Sequence, residues 1–475
     1  MRQPLALIVI AALFTASAQP TTRLSRSPTA DELLESGYAT IGGRAAYRDL
    51  ASIRISFTRA YHNPGQEEWV GAPAVLTTTM DGTEFLDFRR PGLLTRYHLP
   101  NAPRTFTRLF LADSAAFMFD TIVSGFGGGT PARGYEPIWR DDPIRLLRTV
   151  AGAPTDRART IGSRQVTGRP ALGVEVSAPE DTVRLWFDSK TRIPLAIERV
   201  EDDPVTATQV TLISLSGWIT AAPIRIPGSA LVTQNGRISE ARSITRGQVS
   251  PNADSAFASV PKKAAAPTSP SSLKIVELAP GVYRAEGAPA GVPYNSIFTL
   301  TNDSVFVFDP PVSDRYATAI IDSVRGRFPT ARARVFVVSH HHADHVSGAR
   351  AAFAAGMSAI ASAEIADYVR GLGLPAGRKP PSSRRVTAVD DTLAVGSGPS
   401  RFVLYPVPTG HARGLMMAYF PEAKLIAEVD LAAGLPSDQR DLYDFVAKRS
   451  LAVEKLARMH GGVVPWTSFA KQFQN

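Results

Sequence analysis

The sequence predicts two folded parts in one chain, a mainly antiparallel β domain over residues 19–260 and an α/β domain over residues 273–475. Three observations predict it. Residues 261–272 read Pro-Lys-Lys-Ala-Ala-Ala-Pro-Thr-Ser-Pro-Ser-Ser, a low-complexity stretch of linker composition. The chain before it carries strand-like alternation with Asp-Gly and Asn-Gly dipeptides, whereas the chain after it alternates short apolar runs with helical spacing. The 475 residues are 44% hydrophobic and 20% charged, a globular balance that excludes disordered and fibrous classes, and each side of the linker has single-domain length.

Arg2, the apolar run Leu5–Phe14 and Ala16-Ser17-Ala18 have the three-part form of a secretory signal peptide over residues 1–18. The mature chain is therefore expected to begin at Gln19 and to be periplasmic or secreted. The apolar run falls short of the ~20 residues a bilayer span needs and no later segment is long enough, so no stable membrane insertion is expected. Asp31–Leu50 reads as helix. Beyond it, Asp81-Gly82 and Asn235-Gly236 sit between strand-like runs and predict tight hairpins. Val183, Leu185 and Phe187 alternate with Arg184, Trp186 and Asp188 as in a half-buried strand. Gly125-Phe126-Gly127-Gly128-Gly129 lacks the Gly-Lys-Ser/Thr of a phosphate loop and reads as a turn. His62 and His98 stand alone, as surface or packing histidines do. This helix followed by a long antiparallel meander resembles the half-open β-barrels of periplasmic lipoprotein carriers, which implies a binding role for this part.

After the linker, Ser304–Phe308, Val335–Val338, Arg401–Val407 and Lys424–Val429 read as strands, and Tyr316–Phe328, Ala349–Gly356 and Ala363–Leu372 as helices. Ligand sites of α/β sheets lie in loops at strand ends. Four of the eight histidines fall in one such loop, Ser339-His340-His341-His342-Ala343-Asp344-His345, which ends before a helix start at Gly348. A loop of this kind turns several imidazoles and a carboxylate toward one point, and both ligand types suit zinc and other first-row metals. His411 follows the strand Arg401–Val407, Asp430 ends the strand Lys424–Val429, and His460 lies in Met459-His460-Gly461-Gly462. Pro375–Arg385 reads as a loop near this site.

His-x-His-x-Asp-His with a later His, Asp and His resembles the metallo-β-lactamase superfamily of hydrolases over about residues 273–475. The resemblance implies an αββα sandwich, two mixed sheets face to face with helices outside and metals at one edge. It implies that His340, His342 and His411 hold one metal, that Asp344, His345 and His460 hold a second, and that Asp430 bridges them. Asp344 would also orient the attacking water, and Asp309 would orient the ligand loops; His341 occupies a variable position. Two zinc ions are implied, with iron or manganese as alternatives. The family's His-Thr-x-Gly is His411-Ala412-Arg413-Gly414 here, and Val429 stands where glycine often precedes the bridging aspartate. Both departures bear on the pocket wall and so on the substrate.

The implied function is an exported metal-dependent hydrolase that directs a metal-bound hydroxide at a small ester-, thioester-, lactone- or amide-type substrate. β-Lactamases of the superfamily have Cys or Ser where Asp430 lies, so a bridging carboxylate resembles the thioesterases and lactonases instead. True β-lactamase activity remains an alternative, as does a periplasmic carrier with a degenerate metal domain. The chain has no cysteine, which excludes disulfides, thiolate metal sites and a cysteine nucleophile. No Gly-x-Ser-x-Gly elbow supports a serine hydrolase. The net charge of +9 is spread over both parts without a run of five like charges, so a small-molecule partner and no nucleic acid is expected.

Overall fold

The computed structural model describes residues 27–89, 92–100, 102–111, 115–120, 130–131, 139–178, 182–249, 273–286 and 294–474. The expected signal peptide, the linker and the glycine run 125–129 lie outside these residues. The first helix, Ala30–Ala39, starts at a capping box in which Thr29 and Glu32 satisfy each other's backbone N–H groups. The helical stretch expected over Asp31–Leu50 is two helices, Ala30–Ala39 and Arg44–Arg48, interrupted at Gly42-Gly43.

Among the described residues the N-terminal part has an antiparallel sheet of thirteen strands and a separate two-stranded one, Ile219–Ala221 with Ile224–Ile226. One meander runs from Ser52–His62 to Thr130–Pro131 and a second from Ala158–Val166 to Arg237–Val249. The first and last strands of this part, Ser52–His62 and Arg237–Val249, pair with each other in mid-sheet. Ile53, Ile55, Val174, Leu185 and Ile213 of the sheet pack against Leu33, Leu34 and Tyr38 of the first helix and Ile144 and Leu147 of helix Pro143–Gly152. Farther along the first strand the buried side chain is Arg59, paired with Glu84 at 2.9 Å and Glu240 at 3.0 Å. The apolar face is thus filled by the chain's own helices and the adjoining interior by ion pairs, which leaves the lipoprotein-carrier resemblance without support.

The C-terminal part has two sheets. A seven-stranded one runs in chain order from Lys274–Ala279 to Val386–Val389, and its last four strands are parallel. A six-stranded one runs from Leu393–Val395 to Val463–Pro465, and Leu425–Glu428 pairs in parallel with Lys455–Arg458. Alternation along the strands sorts the side chains into two cores. Phe306, Phe308 and Val337 of the first sheet meet Phe402, Leu404 and Phe420 of the second, joined by Leu442 and Phe445 of helix Pro436–Lys448. Val305, Val307 and Phe336 face the other way, onto Tyr316, Ile320 and Val324 of helix Asp314–Arg327. Among the described residues no helix is long and apolar enough to cross a membrane.

The strands and helices expected between Ser304 and Val429 form within a few residues of the bounds read from the sequence. Asn235-Gly236 makes the expected hairpin turn, both residues at positive φ between Ser229–Gln234 and Arg237–Val249. Asp81-Gly82 does not. It lies inside one strand, Leu76–Asp87, with Gly82 paired to Phe57 on one side and Tyr97 on the other. A Cβ on Gly82 would lie 2.0 Å from the Arg96 carbonyl, so glycine serves close strand approach here rather than a turn. The strand Thr182–Asp188 is covered on both faces, since Trp186 and Asp188 are buried along with Val183, Leu185 and Phe187.

The ring of Phe402 lies 5.1–5.6 Å from those of Phe306, Phe308 and Phe420, all between the two sheets. Truncation to alanine leaves a cavity there that the sheets cannot close. Phe402→Ala should cost about 3–5 kcal/mol, read as a lower urea midpoint at unchanged slope.

Candidate metal centre

The parallel strands Ser304–Phe308 and Ala333–Val337 end at the same sheet edge, which sets Asp309 beside the histidine loop. Asp309 N–H donates to Val337 O at 2.8 Å. Parallel pairing likewise brings Asp430, just past Leu425–Glu428, next to His460, just past Lys455–Arg458. His411 lies in the loop between Phe402–Pro406 and Met416–Phe420, and Met416 N–H donates to Ser339 O at 2.8 Å, a backbone bond across the two sheets.

All seven residues expected as metal ligands converge. His340, His342, His411 and Asp430 form one group and Asp344, His345 and His460 another, each with its ligand atoms within 4.8 Å of one another. Asp430 spans both. Its Oδ2 lies 3.2 Å from His340 Nε2, 3.2 Å from His345 Nε2 and 3.0 Å from His411 Nε2, and its Oδ1 lies 2.9 Å from His460 Nε2.

Hydrogen bonds fix which ring nitrogen each histidine presents. Asp309 is fully buried and accepts from Ser339 N–H at 2.7 Å, Ser339 Oγ at 2.6 Å and His345 Nδ1 at 2.8 Å. The Ser339 hydroxyl proton is thereby committed, so its oxygen accepts from His340 Nδ1 at 3.0 Å. His340 then carries its proton on Nδ1, His345 is bonded through Nδ1 to Asp309, and both rings turn Nε2 toward Asp430. His342 is the reverse. Its Nε2 meets the Glu67 carbonyl at 3.0 Å, and a carbonyl only accepts, which leaves Nδ1 as the free lone pair. That Nδ1 is buried without a hydrogen-bond partner, and so is His340 Nε2. Asp438, itself buried, has Oδ2 3.6 Å from His411 Nδ1.

The electrostatics follow from this arrangement. Burial drives His342 down to about 4, against the pull of the Glu67 carbonyl, and drives His340 well below the usual imidazole range, with the charge of His345 acting in the same sense. Burial opposes charge on His345 too, but Asp430 and the Asp309 bond outweigh it and raise its pKa. Burial likewise pushes the carboxyl of Asp344 up, yet the His345 charge and the hydrogen bonds from Tyr294 and Gln66 bring it to about 2. Asp430 is held far below the carboxylate range because His345, His340 and His411 outweigh its burial.

Orphaned imidazole lone pairs and ionised carboxylates facing one point fit first-row divalent metals. Sequence reasoning missed several residues here. Ser339 precedes the histidine run but carries no motif of its own. Tyr294 donates to Asp344 Oδ2 and meets the His460 ring edge-to-face, with centroids 4.3 Å apart. Gln66 and Glu67 come from the N-terminal part. His341 is buried with neither ring nitrogen hydrogen-bonded, and it belongs to neither ligand group. The Pro375–Arg385 loop is tied back by Arg384, whose Nη1 donates to Leu372 O at 2.6 Å.

No family model matches the chain, and none of the curated proteins matches it. Solved structures are similar to part of it. TMB-1 is 14% identical, covering 43% of this chain and 100% of its own, with a TM-score of 0.33. The DIM-1 metallo-β-lactamase is 16% identical, covering 43% of this chain and 95% of its own, with a TM-score of 0.34. The metal-soaked Flv1 flavodiiron core from Synechocystis sp. PCC6803 is 12% identical, covering 42% of this chain and 60% of its own, with a TM-score of 0.34.

The depressed His342 gives the metal-free chain an acid-sensitive step. Between pH 6.5 and 4 the unfolded imidazole takes up a proton that the folded one refuses, so stability falls as pH falls. The shift is worth about 3 kcal/mol over that window. Urea unfolding of metal-free wild type and His342→Gln at pH 6.5 and 4 should show the variant losing less stability by about that amount.

Proposed function

We propose that the chain is an exported, metal-dependent hydrolase of small molecules. In this reading residues 273–475 form an αββα sandwich of the metallo-β-lactamase type, and residues 19–260 an accessory β domain. His340, His342 and His411 hold one ion, Asp344, His345 and His460 the other, and Asp430 belongs to both. The observation that carries this is Asp430, whose two oxygens face imidazoles of both groups at 2.9–3.2 Å. Two bound ions, zinc by the ligand set with iron or manganese as alternatives, lower the pKa of a water and polarise the substrate oxygen.

The chain's own residues do the rest. Asp309 and Ser339 bond the Nδ1 atoms of His345 and His340 and so aim Nε2 of both rings at Asp430. Asp344, ionised down to about pH 2, orients the attacking water as an acceptor. Tyr294 stays protonated, since burial and the Asp344 charge push its hydroxyl above the usual phenol range, and its one proton is donated to Asp344 Oδ2. The substrate class that fits is an ester, thioester, lactone or amide, with β-lactams a less favoured member because a carboxylate stands at position 430.

The test is hydrolysis of a thioester, a lactone, an ester and a β-lactam by the zinc-loaded chain, with and without a chelator. Chelator-sensitive turnover of one class supports the reading, and two ions bound with no turnover of any class counts against the substrate assignment. Asp430→Ala should reduce turnover to background; unchanged activity and metal content would refute its shared role. Export is tested separately: N-terminal sequencing of the mature protein should begin at Gln19, and an intact Met1 would overturn it.

A further inference from the structure

We propose that the loop between strands Ser52–His62 and Leu76–Asp87 of the N-terminal part is a working piece of the metal centre, with Gln66 as the residue that positions Asp344. The proposal rests on the two-ion reading above.

Two contacts reach from this loop into the ligand set. Gln66 Nε2 donates to Asp344 Oδ1 at 2.6 Å, and the Glu67 carbonyl accepts from His342 Nε2 at 3.0 Å. They act on different groups, since Asp344 belongs with His345 and His460 whereas His342 belongs with His340 and His411. A carboxylate rotates freely about its last bond unless both oxygens are held. Tyr294 holds Oδ2 of Asp344, and Gln66 is the side chain that holds Oδ1. Without Gln66 the carboxylate keeps a single tether and loses the orientation that a ligand to the second ion requires.

The loop is built for this placement. The register of the first two strands shifts at Tyr61/His62, and the chain leaves the sheet there. Glu67 is buried, accepts from Gly65 N–H at 2.9 and 3.1 Å, and pairs with Arg237 of the last strand, which fixes the loop against its own sheet. On the other side Ala343 N–H donates to Gly65 O at 3.1 Å and Arg413 N–H to Glu68 O at 2.6 Å. The Arg413 side chain adds an ion pair with Glu68 at 3.1 Å and lies 4.5 Å over the Trp69 ring. Arg413 is one of the departures from the family's turn, and here it serves as the loop's dock.

The test uses the full chain with Zn2+ and Co2+ as probes. Gln66→Met keeps the length of the side chain and removes the donor; Gln66→Glu replaces the donor with a like charge. Chelator competition should show wild type binding two ions, Gln66→Met holding the first as tightly and the second about tenfold or more weakly, and Gln66→Glu weaker still. The visible bands of the second Co2+ equivalent should shift in both variants, and metal-free Gln66→Met should still unfold in one cooperative transition at a slightly lower temperature, which separates positioning from a folding defect. Equal affinity and an unshifted second-Co2+ spectrum in Gln66→Met would overturn the proposal while leaving the two-ion reading intact. A wild-type chain that takes up no second ion would overturn both.

Discussion

The buried carboxylate of Asp309 is the contact on which the centre depends. It acts through three hydrogen bonds: one from His345, one from the Ser339 backbone and one from the Ser339 hydroxyl, which passes the constraint on to His340. An anion with no exposure to water is costly unless several donors surround it. Those donors are therefore not free to relax, and the two imidazoles are held at Nδ1 with Nε2 turned outward. A rigid set of lone pairs is what a metal site requires before the metal arrives.

Asp309 organises one sheet only. The candidate ligands His411, Asp430 and His460 come from the second sheet, so the spacing of the centre is the spacing of the two sheets. That is set by the aromatic layer of Phe306, Phe308, Phe402 and Phe420 and by the backbone bond from Met416 to Ser339. Asp430 sits where the two contributions meet. With imidazoles of both sheets within 2.9–3.2 Å of its oxygens, it is stabilised only when the sandwich is closed. Packing, charge burial and ligand geometry are in this sense one constraint acting at three scales.

The candidate ligands are legible in the sequence because their chemistry is rare and their positions follow strand ends. Four histidines within six residues after an apolar run concentrate imidazole as metal sites do, and parallel strands necessarily deliver their following residues to one edge. The turn expected at Asp81-Gly82 fails for a physical reason: glycine serves close backbone approach as well as positive φ, and only the neighbouring strand reveals which. Ser339, Tyr294 and Asp438 are silent in the sequence because their roles lie in what they touch. Gln66 is the extreme case, a glutamine 278 positions from the carboxylate it holds, in a loop with no motif.

That distance changes the meaning of the N-terminal part. Its apolar face is packed with Leu33, Tyr38, Ile144 and Leu147, and the first strand continues into the Arg59, Glu84 and Glu240 ion pairs. Such an interior holds its strands rigidly. Rigidity is what a loop needs if it is to present a donor to within hydrogen-bond distance of another part of the chain. Glu67 shows the division of labour within a single residue: its carboxylate looks back to Arg237 and fixes the loop, and its carbonyl looks forward and fixes His342. A broad sheet with a filled core is then the expected architecture for a part whose contribution to chemistry is one well-placed loop.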